Sequence, residues 1–152
     1  MSIADVKTVR AYEASTNPPI HSRDKSILTI AQLTESRYPL YGLFQLQYSI
    51  GGIVYESVLL MNGYVGAMRT NFFDITTGKT VAVDQIMSLK SSYAGLVLLG
   101  YNPVYAGTEI PHPTYSADNF LFQVGTDGRL NAATCDDSGQ CSDVRLEIVQ
   151  LK

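Results

Sequence analysis

The chain has 152 residues, 45% of them hydrophobic and 16% charged, with a net charge of −3. That is enough chain for about one domain with a buried core. Lys and Arg are scattered rather than clustered, which excludes a basic nucleic-acid surface. No apolar run approaches the roughly 18–20 residues needed to cross a bilayer as a helix, so membrane insertion is not expected.

The opening "MSIADVKTVRAYEAS" lacks the apolar core of a signal peptide. A cytoplasmic protein is expected, or a secreted or periplasmic one whose leader has been removed. Residues 1–25 read as an N-terminal extension. Val6, Val9, Arg10 and Glu13 suit one or two helical turns. "TNPPIHSRD" then stops any regular element, because two prolines remove donors and fix φ.

From residue 26 to 152 the pattern is that of a single β-domain. "SILTIAQL" (26–33) is rich in branched residues and reads as a strand, and "RYPLYG" (37–42) interrupts it. Three strands follow, linked by Gly51-Gly52 and Asn62-Gly63, which supply the positive φ that tight hairpins need. The first link pairs Tyr48 with Tyr55, Leu46 with Ser57 and Phe44 with Leu59. The second pairs Met61 with Tyr64, Leu59 with Gly66 and Ser57 with Met68. Both put Phe44, Leu46, Tyr48, Tyr55, Leu59, Met61, Tyr64, Met68 and Phe72 on one face. A one-residue slip would invert every side chain, so the agreement is informative.

Next comes "DITTGKTVAV" (74–83), where Gly-Lys-Thr has the look of a phosphate loop. Such a loop needs a glycine five residues before Gly78 and a helix after it. Phe73 holds that place, and "VAVDQIMSL" alternates as a strand. The residues read instead as a four-residue hairpin loop, Thr76–Lys79, pairing Phe72 with Val83, Thr70 with Gln85 and Met68 with Met87.

"GLVLLGY" (95–101) is apolar on both faces and suggests a strand covered on both sides. A loop of about eighteen residues, 102–119, follows with Pro103, Pro111 and Pro113. Loops of that length in compact domains are usually functional or disordered. The chain ends in three strands, "FLFQV" (120–124), "RLNAATC" (129–135) and "CSDVRLEIVQL" (141–151), with Leu121, Leu130, Ala132, Val144, Leu146 and Ile148 on one face.

The expected fold is all-β: an antiparallel meander of about eight to nine strands, closing as a barrel or a two-sheet sandwich. In its run of hairpins the layout resembles the lipocalin-type up-and-down barrels, without motif residues of that family.

Few residues suggest chemistry. Cys135 and Cys141 flank a five-residue loop, and paired strands there would permit a disulfide. One cysteine pair with no nearby histidine does not make a zinc site. Asp136, Asp137 and Asp143 lack calcium-loop spacing and suit a tight turn. No metal or cofactor is expected. His21 and His112 lie in proline-flanked loops, and no G-x-S-x-G or H-E-x-x-H pattern is present. The long loop gathers Tyr105, His112, Tyr115 and Asp118 with Tyr101, Asn102 and Asn119, rings and polar groups of the kind that bind small molecules.

The leading expectation is a non-catalytic β-domain binding a small apolar ligand or a partner protein. Its concave face would be Phe44, Tyr55, Leu59, Met61, Met68, Phe72 and Met87, with Tyr55, Met68, Tyr105, His112, Tyr115 and Asp118 as candidate ligand residues. The alternative is a homo-oligomeric interaction or assembly module, a homodimer through an edge strand such as 26–33 or 141–151. An enzyme using His112 comes last, with Asp118 or Glu109 and Tyr105 or Tyr115 beside it.

Overall fold

The computed structural model describes residues 34–135 and 141–151. The extension 1–25 and the strand expected over 26–33 lie outside them. Nine strands follow in order: β1 Thr34–Glu35, β2 Leu40–Ile50, β3 Ile53–Gly63, β4 Val65–Asp74, β5 Lys79–Ser92, β6 Gly95–Tyr105, β7 Asn119–Val124, β8 Leu130–Cys135 and β9 Cys141–Leu151. All pairings are antiparallel. β2 to β9 pair in sequence, β9 pairs back with β2, and the sheet closes as an eight-stranded up-and-down barrel. The short β1 lies against the end of β5.

Alternation builds the core. Leu40, Phe44, Leu46 and Tyr48 of β2 point inward with Leu59 and Met61 of β3, Met68 of β4, Met87 and Leu89 of β5, Leu96 and Leu98 of β6, and Phe120 and Phe122 of β7. Phe44 meets Phe122 edge-on at 6.0 Å and Tyr48 meets Phe120 at 5.5 Å, so rings from opposite sides of the barrel touch. The face expected to be concave and ligand-lined is packed on itself. An apolar interior is also the reverse of the polar lumen of a transmembrane β-barrel.

The first hairpin has the expected register, Tyr48 opposite Tyr55 and Phe44 opposite Leu59, with both Gly51 and Gly52 at positive φ. The next two are each displaced by two residues. Asn62 pairs with Val65, placing Gly63 (φ 91°) and Tyr64 in the turn, and Leu59 faces Met68 rather than Gly66. Asp74 pairs with Lys79, so the four-residue loop is 75–78 and Phe72 faces Val81. A two-residue slip keeps side-chain parity, which is why the inward set survives. Tyr64 is the exception: it sits in the turn, exposed. The tip closes on Asp74, whose carboxylate accepts the N–H of Thr76 at 2.8 Å and whose carbonyl accepts that of Gly78 at 2.8 Å.

Three further expectations change. Phe120 and Phe122 fill the core, so Leu121 points outward and packs with Ala94, Val97 and Leu99. β6 from Gly95 to Gly100 and the middle of β7 are accordingly buried on both faces, while Tyr101 and Tyr105 are exposed. The strand 141–151 is not a free edge: Cys141–Val144 pair with β8 and Arg145–Leu151 with β2, each stretch along one side. The long loop is shorter than expected, because β6 continues through a bulge opposite Asp84–Ile86 as far as Tyr105. Asn102 takes the extra position at φ 52°, a conformation Asn tolerates better than most residues.

Candidate functional site

The loop from Ala106 to Asp118 folds over one end of the barrel, and polar groups interrupt the apolar interior beneath it. Ser57 and Thr70 are register partners whose hydroxyls meet at 2.7 Å. Gln85 points inward from β5 and grips Asp118 twice. Its Nε2 donates to Asp118 Oδ2 at 2.7 Å, and its Oε1 accepts the Asp118 N–H at 2.8 Å. The Tyr115 hydroxyl donates to the same Oδ2 at 2.5 Å. Gly100 makes room for this latch. A Cβ there would stand 2.5 Å from Gln85 Oε1 and 2.7 Å from the Asp118 carbonyl oxygen, which accepts the Gly100 N–H at 2.8 Å.

Burial pushes the Asp118 carboxyl above the ordinary carboxylate range, although the hydrogen bonds from Tyr115 and Gln85 favour its charged form. Burial also raises the Tyr115 and Tyr48 phenols, and the neighbouring Asp118 adds to both. Tyr48 is only 3% exposed. Its hydroxyl lies among Ser57, Tyr115 and Asp118 but meets none in hydrogen-bonding geometry, and it has no partner. A buried polar group left so costs about 1–3 kcal/mol.

A chain of rings covers this cluster. Tyr48 stacks on Tyr55 at 5.3 Å, Tyr55 meets Phe72 at 5.3 Å, and Phe72 meets Tyr115 at 5.2 Å. His112 joins it through Phe72 at 6.2 Å and Tyr105 at 4.8 Å. His112 Nδ1 accepts the N–H groups of Thr114 at 3.2 Å and Tyr115 at 3.0 Å, so the imidazole shapes the loop.

Two concavities flank the loop. A groove of about 1170 Å³ runs along the outside of the barrel, between the outer faces of β3–β5 and the bulged end of β6 with the loop. Val58, Ala67, Ile86, Pro103, Val104 and Pro111 give it apolar walls. Arg69 and Asp84, cross-strand partners, lie within it, joined at 2.7 Å (Nε to Oδ1) and 2.9 Å (Nη2 to Oδ2). The Arg69 guanidinium holds the Asp84 carboxyl below its ordinary range, and Gly107 N–H adds a bond at 2.9 Å. A cleft of about 620 Å³ opens at the barrel mouth, between the β2–β3 turn, the loop, and the facing ends of β8 and β9. Beside it Cys135 and Cys141 are register partners joined by a disulfide, Cα–Cα 4.1 Å.

The candidate residues fall in two places. His112 and Met68 border the outer groove, while Tyr55, Tyr115 and Asp118 border the mouth cleft. Tyr105 borders neither and packs on His112. The His112–Asp118 pair considered for catalysis is not formed, because Asp118 is held by Gln85 and Tyr115. Sequence reasoning missed Gln85, Tyr48, Arg69 and Asp84. Gln85 had a signal, as a polar residue at an inward position between Val83 and Met87.

No family model, curated protein or solved structure matches this chain. Function is read from the geometry alone.

Proposed function

We propose that the protein is a non-catalytic binding barrel that takes a small, mainly apolar ligand in the outer groove. One observation carries this reading: a groove of about 1170 Å³ joins apolar walls of Val58, Ala67, Ile86, Val104 and Pro111 to the bidentate Arg69–Asp84 pair, with Asn71, Gln85, Asn102, Thr108, Glu109 and His112 also along its lining. Apolar walls with few placed polar groups are the usual make-up of a small-molecule site, and the size suits an extended ligand. The packed interior argues for this location over the lumen.

Titration with N-phenyl-1-naphthylamine, a neutral apolar fluorophore, tests the proposal. Saturable binding is expected, weakened tenfold or more by Ala67→Trp, which fills the groove from an exposed position. No saturable binding, or affinity unchanged in a folded Ala67→Trp variant, would refute it.

A second reading, a homo-oligomeric assembly module, draws on the exposed apolar residues beside the groove. Leu60 (54% exposed), Val65 (55%) and Ile86 (51%) adjoin on the outer sheet, and a second copy could cover them. Light scattering separates the two: a dimer that Leu60→Lys dissociates favours assembly, and a monomer at all concentrations favours the ligand groove.

A further inference from the structure

The geometry points to a second binding site in the mouth cleft, for a neutral polyhydroxylated ligand such as a short saccharide. The cleft of about 620 Å³ is separate from the outer groove and shares no lining residue with it.

Three features define what it would hold. Tyr55, Phe72 and Tyr115 line it and contact one another at 5.2–6.3 Å, so it has an aromatic wall. Sugar rings present apolar C–H faces to such a wall, and aromatic side chains with a polar tip serve both sides of the ligand. Around the wall stand short hydroxyl and amide groups, Ser116, Asn119 and Ser142, with Thr134 opposite Ser142 and its hydroxyl donating to the Asn119 carbonyl at 3.0 Å. Finally, among the described residues no Lys or Arg lines the cleft, and its one acidic residue is Asp118. An anionic ligand finds no counter-charge there. A cationic one finds only a buried carboxyl already committed to Tyr115 and Gln85 and biased toward its protonated form. An uncharged ligand with many hydroxyls is what remains.

An independent observation points the same way. The Tyr48 hydroxyl is buried without a partner near Asp118 and Tyr115, two residues that line the cleft, although Tyr48 itself lies behind the lining. Native structures rarely leave such a group orphaned, and an unmet polar group is one reason to look for a bound partner. A ligand hydroxyl, or a water that it carries, reaching past Tyr115 would satisfy it.

The test is a calorimetric titration of the whole chain with cellobiose, maltotriose and chitobiose, and with glucuronic acid and glucosamine as charged counterparts. At least one neutral saccharide is expected to bind saturably, more tightly than both charged sugars. Ser142→Trp plugs the mouth from an exposed rim position without touching the core, and should weaken binding tenfold or more. Tyr115→Phe keeps the aromatic wall and should weaken it less. Ala67→Trp, in the other groove, should leave it unchanged, so failure here is distinct from failure of the apolar-ligand site. Absence of binding by all neutral saccharides to the folded protein, preference for a charged sugar, or binding unaffected by Ser142→Trp would each overturn the proposal.

Discussion

Asp118 is the residue on which the loop depends. It closes the loop at its C-terminal end, takes donors from Gln85 and Tyr115, and sits where burial favours its protonated form. A carboxyl with a raised native pKa binds its proton more tightly folded than unfolded. Its contribution to stability is therefore full below the ordinary carboxylate value of about 4, and is lost as pH rises through the native value. Asp118→Asn removes the titration while keeping an oxygen to accept both donors. The stability advantage of the native protein over this variant should shrink steadily above about pH 4. Urea unfolding midpoints of the two proteins across pH 4–8 check this, and parallel curves would contradict it. Tyr48 and Tyr115 add a trend at the alkaline end, since their raised phenols stay neutral folded while unfolded tyrosines ionise above about pH 10.

At the level of elements, the hairpins explain what could be read in advance and what could not. Gly51-Gly52 set its register correctly because both glycines take positive φ and leave one choice of turn. In Asn62-Gly63 only the glycine does so, and the turn moves on to Gly63-Tyr64. Parity rescued the inward set, but the polar pairs were lost. Under the expected registers Ser57 faced Met68 and Arg69 faced Ile86, whereas in the structure Ser57 faces Thr70 and Arg69 faces Asp84. The core was thus legible from alternation, while the salt bridge in the groove depended on a displacement that alternation cannot detect. The bulge at Asn102, which shapes the groove wall, was hidden because it leaves no periodicity to read. Gly63 offers a direct check. A valine there would hold a branched side chain at φ 91°, its Cβ already in contact with the Tyr41 hydroxyl at 3.6 Å. Gly63→Val should destabilise by about 2 kcal/mol or more. A denaturation midpoint corresponding to less than about 0.5 kcal/mol, the range of ordinary surface changes, would show that the turn relaxes instead.

For the whole molecule, closure and filling matter most. Pairing of β9 with β8 over Cys141–Val144 and with β2 over Arg145–Leu151 leaves less open edge for a dimer through 141–151. Rings meeting across the barrel leave the interior as a packed core. The candidate sites are displaced to the loop-covered end, where β6 bulges outward and the loop from Ala106 to Asp118 adds a wall to the sheet. That binding belongs to these outer surfaces and not to the lumen is the central claim, and methyl-resolved NMR tests it directly. With N-phenyl-1-naphthylamine added in steps, saturable shifts are expected at Val58, Ala67, Ile86 and Val104, with Leu59, Met61 and Met87 unmoved. Shifts that saturate at the interior methyls while the groove stays silent would contradict it.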